Sequence, residues 1–181
     1  MDPLKIIQKY YSVDSPAYKL LIPHSQAVAK KALEIASHVP QLKPDLKFIA
    51  EAAMLHDIGI FLTDDRAIGC FGDQPYIRHG YLGREILEKE GFPRHALVCE
   101  RHVGLGISAQ EIITHKLPLP PRDMVPVSVE EKIICLADKF FSKDEEVLDR
   151  EKSLDRIKGY YARFGVEKLE LLDGWLKEFG V

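Results

Sequence analysis

The chain is poor in anything that would staple it. Its three cysteines, Cys70, Cys99 and Cys135, are odd in number and none stands in a C-x-x-C pair. A disulfide framework and a thiolate zinc cage are therefore both poor readings. There is no basic excess either. Lys and Arg number 25 against 28 Asp and Glu, a formal charge of −3, which argues against a nucleic-acid or other polyanion binder while leaving room for a local basic pocket. No apolar run approaches the roughly 20 residues that cross a bilayer. The opening MDPLKIIQKYYS carries charge in its first turn and lacks a secretory apolar core. These absences predict a cytoplasmic protein without a membrane partner, with reduced thiols. Repeats, low-complexity tracts, a P-loop and a G-x-S-x-G nucleophile turn are also missing.

What is present is the pattern of an all-α domain. At 181 residues, 46% of them hydrophobic and 29% charged, the chain is long enough for one sizeable core. Asp14 or Ser15 followed by Pro16 reads as a helix start, and the helix runs to about Val39. A second helix spans about 46–56 and ends before Gly59. Residues 60–77 read as irregular. Helical spacing returns over 77–89 and, after Pro93, to about Val103. Ser108 with Glu111, and Ser128 with Glu131, have capping-box spacing, opening a short helix near Ile112 and a longer one over 129–141. Between these two, LPLPPRDMVP cannot be helical and reads as a surface lid or turn. Two amphipathic helices broken near Phe164–Gly165 complete the chain. The expected organisation is a single domain over 1–181, with a motif-bearing core at about 18–143 and a C-terminal helical extension at about 146–181.

Seven histidines are present, and their neighbours sort them. His56 and Asp57 end a strongly apolar helix in AAMLHDIG, and Asp138 sits in the equally apolar KIICLADKFF. A carboxylate in such company costs several kcal/mol to desolvate unless a cation or donors compensate. His24, His79 and His102 likewise fall near helix ends or in the first long helix. Together they form a set of imidazoles and carboxylates without thiolate. That set suits one or two divalent ions of Fe, Mn, Co, Ni or Zn, with no organic cofactor expected. Asp57, with two oxygens, is suited to bridging two ions. His38 and His95, one ending and one beginning a helix, are read as structural.

His24, the His56–Asp57 pair and Asp138 together resemble the H…HD…D signature of the HD-domain superfamily of metal-dependent phosphohydrolases, over roughly residues 18–143. The run HDIG at 56–59 matches the form that names one subgroup. His79 and His102 resemble the extra ligands of binuclear members. The resemblance implies one ion on His24, His56, Asp57 and Asp138, and a second on Asp57, His79 and His102. Such members include cyclic dinucleotide phosphodiesterases, diadenosine polyphosphate hydrolases and the di-iron myo-inositol oxygenase. The cyclic dinucleotide enzymes carry a lysine where this chain has Ile60 and a second histidine where it has Val103. The resemblance thus implies a reaction class and leaves the substrate open.

The expected reaction is attack of a metal-bound hydroxide on a phosphomonoester, nucleotide or related phosphodiester, with Asp57 and Lys139 as catalytic residues. The alternatives are a di-iron oxygenase and a non-catalytic nucleotide-sensing helical domain. Lys139, Lys143, Arg78, Arg101 and His115 are candidates for contacting a small phosphorylated substrate, and each is also readable as a solvated side chain, His115 above all. A homodimer is compatible with the C-terminal helices.

Overall fold

The computed structural model describes residues 1–143 and 150–181. Most of the helices begin where a side-chain oxygen captures a free backbone N–H, the contact that satisfies a donor left over at a helix start. Helix α1 (Pro3–Tyr10) is capped by Asp2 and α2 (Pro16–His38) by Ser15, each with proline in its first turn. Helix α3 (Leu46–Leu55) is capped by Asp45 and runs into the turn His56–Asp57–Ile58–Gly59. After it come α4 (His79–Lys89), α5 (Pro93–Arg101), α6 (Ala109–Thr114), α7 (Val129–Lys139), α8 (Leu154–Tyr161) and α9 (Val166–Phe179).

The sequence reading missed α1, which is only eight residues long. It placed no strand, whereas the 60–77 segment holds a two-residue antiparallel ladder of β1 (Asp64–Asp65) on β2 (Cys70–Phe71), flanked by short 3-10 turns. Ser108 and Glu111 form a complete capping box. The second box forms only half: Ser128 Oγ accepts from Glu131 N, while the Glu131 carboxylate turns to Arg101 and to Val127 N. The start expected for the C-terminal extension, near 146, lies outside the described residues.

Two apolar clusters divide the interior. One packs α2, α3, α5 and α7 against α8 and α9, with Leu172, Trp175, Leu176 and Phe179 of α9 buried in it. The other gathers α1, the first half of α2, the end of α3, α4 and α5. Each fully buried large apolar side chain contributes roughly 1.5–3 kcal/mol, so α9 is held to α2 and α7 as core. The proline-rich stretch is irregular, as expected, but it does not line the cleft described below. Met124 pairs with Ile107 through its backbone, and the Arg122 guanidinium reaches the buried Glu100 on α5.

The ends of α3, α4, α5 and α7 meet between the clusters, and glycines permit the meeting. A Cβ on Gly59 would lie 2.2 Å from His79 O and 2.5 Å from Gly83 N; one on Gly80 would lie 2.4 Å from Cys99 O. The turn after α3 therefore packs directly on α4, and α4 on α5.

Candidate metal centre

Six side chains converge where these ends meet. His24 comes from within α2, one residue after Pro23, whose ring removes a helical N–H donor. His56 and Asp57 follow α3, His79 opens α4, His102 follows α5, and Asp138 lies in the last turn of α7. All six are 9% exposed or less. One ligand atom from each of His24, His56, Asp57 and Asp138 lies within 4.8 Å of the others, and the same holds for Asp57, His79 and His102. Asp57 belongs to both groups. Its Oδ2 is 3.3 Å from His24 Nε2 and 3.1 Å from His56 Nε2, while its Oδ1 is 3.3 Å from both His79 Nε2 and His102 Nε2.

The orientation of three imidazoles is set by backbone. His56 Nδ1 is 2.7 Å from Ala53 O, His79 Nδ1 2.7 Å from Tyr76 O, and His102 Nδ1 2.7 Å from Cys99 O. A carbonyl only accepts, so in each ring Nδ1 carries the hydrogen and a neutral ring turns the Nε2 lone pair to the centre. At α3 and α5 this bond also uses a carbonyl that the helix end leaves without an internal partner. A donated Nδ1–H of this kind orients metal-binding histidines and makes them more basic.

The inward atoms ask for a cation. His79 Nε2 and His102 Nε2 lie 3.1 Å apart, two acceptors face to face when both rings are neutral. Asp57 Oδ1 and Oδ2, His56 Nε2 and His24 Nδ1 are buried without a hydrogen bond. Lys143 Nζ sits 2.7 Å from Asp57 Oδ2 as an ion pair. Burial would raise the carboxyls of Asp57 and Asp138. Nearby cations outweigh it (His56 and Lys143 for Asp57, Lys139 and Lys143 for Asp138) and hold both well below the usual carboxylate range. Burial drives His79 down to about 3. It also lowers His56, but the Asp57 and Asp138 carboxylates override it and bring that ring to about 9, so a bound ion would take the place of the Nε2 proton there. The donor set, its orientation and its unsatisfied atoms all fit divalent metal.

The centre forms the floor of a cleft of about 1030 Å³. Lys139 lines it but is committed: its ammonium donates to Asp138 Oδ2 at 2.7 Å and to His102 O at 3.0 Å, tying α7 to the turn after α5. Lys143 faces the cleft. Three other expected contacts do not line it. The Arg78 guanidinium bonds Gln74 and lies over the Tyr81 ring, Arg101 makes two bonds to Glu131, and His115 is the exposed residue after α6. Sequence reasoning missed other residues of the cleft lining, Tyr76, Lys152, Arg156, Tyr160 and Tyr161. It read Phe141 as core; that ring is buried, and it also borders the cleft.

The HD domain family model matches residues 21–142, and the chain belongs to that family. It is 35% identical over 144 residues to the uncharacterized protein MJ0778 of Methanocaldococcus jannaschii, covering 77% of this chain and 78% of that one. It also resembles two proteins named tRNA (cytidine(56)-2'-O)-methyltransferase. The Picrophilus torridus one is 35% identical over 138 residues, and the Thermoplasma volcanium one 30% over 165. These matches take in 76% and 91% of this chain but only 36% and 41% of the two methyltransferases. In fold it is similar to the HD domain of the Listeria monocytogenes phosphodiesterase PgpH, with a TM-score of 0.54 and 16% identity over 96% of this chain and 94% of that one. Among the described residues no helix is long and apolar enough to cross a membrane.

Proposed function

We propose that the protein is a metal-dependent phosphohydrolase, cleaving a phosphoester of a small molecule in the cleft above the six-residue centre. One observation carries the reading: two groups of buried ligand atoms share Asp57, with three imidazoles locked by backbone carbonyls so that Nε2 faces inward. His24, His56, Asp57 and Asp138 would hold one ion, and Asp57, His79 and His102 a second. Such ions supply an activated water and neutralise charge on phosphoryl oxygens.

The chain's own groups account for the rest. The Lys143 ammonium, at the cleft face beside Asp57, is placed to meet a non-bridging phosphoryl oxygen. Lys139 acts through what it holds, keeping Asp138 and the His102 turn in register. The Tyr76 ring stacks on His79 at 4.5 Å between centroids, and burial pushes its hydroxyl up to about 12. It therefore stays protonated at neutral pH, a neutral donor on the wall. The two ligand groups are imidazoles and carboxylates without thiolate, which supports direct attack by water.

The test is phosphate release from 4-nitrophenyl phosphate and a nucleotide panel by protein loaded in turn with Mn, Fe, Co, Ni or Zn, with oxygen consumption followed on the iron form. Metal-dependent phosphate release is expected. Oxygen uptake without phosphate release would overturn the reading in favour of an oxygenase. Ligand binding without turnover on any metal would overturn it in favour of a sensing domain.

A further inference from the structure

The cleft is larger than its chemistry needs. Its volume of about 1030 Å³ stands at the upper end of the roughly 300–1,000 Å³ that pockets for whole drug-sized molecules occupy, whereas the metal centre engages a single phosphoryl group. Part of its lining, Lys152, Arg156, Ile157, Tyr160 and Tyr161, comes from α8 and the residues just before it, beyond residue 142, where the family match stops.

That lining carries positive charge. Lys152 and Arg156 line the cleft together with Lys139 and Lys143, against only Asp65 and the ligand Asp138 among the described acidic residues. Lys139 and Lys143 are paired with the carboxylates of the centre. Lys152 has no carboxylate partner among the described residues. Its partly buried ammonium donates only to carbonyls, those of Phe141 and, at 3.5 Å, Lys139. Burial lowers its pKa, and Lys139, Arg156 and Lys143 lower it further against the pull of Asp138. Arg156, one turn along at the exposed start of α8, likewise has no ion pair among the described residues. Two cleft-lining cations without a carboxylate partner among the described residues suit an anion, and a guanidinium offers a fork that matches phosphate or carboxylate. The lining also includes Tyr76, Phe141, Ile157 and Tyr161, which suits a ring more than a polar chain.

We propose that Lys152 and Arg156 form a second anion subsite in the same cleft as the metal centre, so that the substrate is a phosphoester carrying a ring and a further phosphate or carboxylate. The scissile phosphoryl group lies at the metals and the second anion rests on α8. This assignment rests on the phosphohydrolase reading for which end is cleaved. The subsite itself requires only that the cleft bind a dianionic ligand.

The experiment titrates manganese-loaded protein calorimetrically with adenosine 3',5'-bisphosphate and with adenosine 5'-monophosphate, measuring phosphate release on the same samples. The bisphosphate is expected to bind at least tenfold more tightly. Arg156→Ala should lower that preference by about tenfold, the order expected for one charge-assisted contact. Arg156→Lys should keep part of it. Lys158→Ala, whose ammonium pairs with Asp173 on the helix surface, should leave it unchanged. No preference in the wild type, or a preference that survives Arg156→Ala, overturns the subsite. Absence of phosphate release with the preference and its loss intact would instead remove the hydrolytic reading and leave the subsite standing.

Discussion

Asp57 is where charge, burial and geometry are most tightly joined. It is fully buried and faces four imidazoles and one ammonium, so it serves both halves of the centre. Asp57→Asn keeps the shape and removes the charge. Elemental analysis should find both ions lost or reduced to a small fraction, with activity down by about 100-fold or more, since even outlying partners of metal ligands cost 10–100-fold. A variant that retains full metal content would remove Asp57 from its bridging place. His95 gives a separate test at the same scale. Burial lowers the pKa of this ring, which packs on Phe48 and Phe92 beside Glu51. The folded state then resists a proton that the unfolded chain accepts below about 6.5, so His95 costs stability as pH falls through that value. Between pH 7.5 and 5, His95→Gln should flatten the fall in melting temperature; a curve parallel to the wild type would show that His95 does not contribute to it.

At the scale of elements, the helix ends are what the sequence specified best. Ser15, Ser108, Ser128 and the break at Gly165 are legible because a cap is a local event, read from one residue and its neighbours. The six centre residues were legible for a related reason: carboxylates and imidazoles in apolar surroundings need an explanation, and their order supplied one. The α8 wall was not legible. Lys152, Arg156 and Tyr160 sit on an amphipathic segment whose facing is decided by how α8 packs, and nothing in its pattern separates a cleft-lining cation from a solvated one. Arg101 fell to the opposite error, since its neighbour His102 points inward while its own side chain turns to Glu131. Gly59 also acquires meaning only from the packing. Its φ of −85° is open to any residue, so the demand is for space alone. Gly59→Ala should push the HD turn off α4 and destabilise the fold by about 1–3 kcal/mol, the usual cost of overpacking. Urea unfolding of the metal-free protein reads this directly, and an unchanged midpoint would show that the backbone gives way without cost.

For the molecule as a whole, α9 and the proposed metal occupancy are two contributors that a single change can remove. Phe179 is fully buried against α2 and α7. Phe179→Ala should cost about 3–5 kcal/mol, visible as a lower denaturation midpoint with the slope unchanged, and a loss below 1 kcal/mol would show that α9 is only loosely attached. Metal acts on the folded state alone. Free ion at about 100 times its dissociation constant should add about 2.7 kcal/mol, so chelation should lower the melting temperature by several degrees. Equal melting with and without chelator would mean that the centre does not hold ions in the folded protein.

The arrangement of ligands at helix ends also limits how this architecture can change over generations. Adding one residue inside α3, α4, α5 or α7 rotates everything beyond it by about 100° and shifts it by about 1.5 Å, enough to turn an imidazole away from its neighbours. Inserted or deleted residues should therefore be confined to the connecting segments, such as the stretch between β1 and β2 or the prolines before α7. Helix lengths in this core should stay fixed even where the loops vary freely.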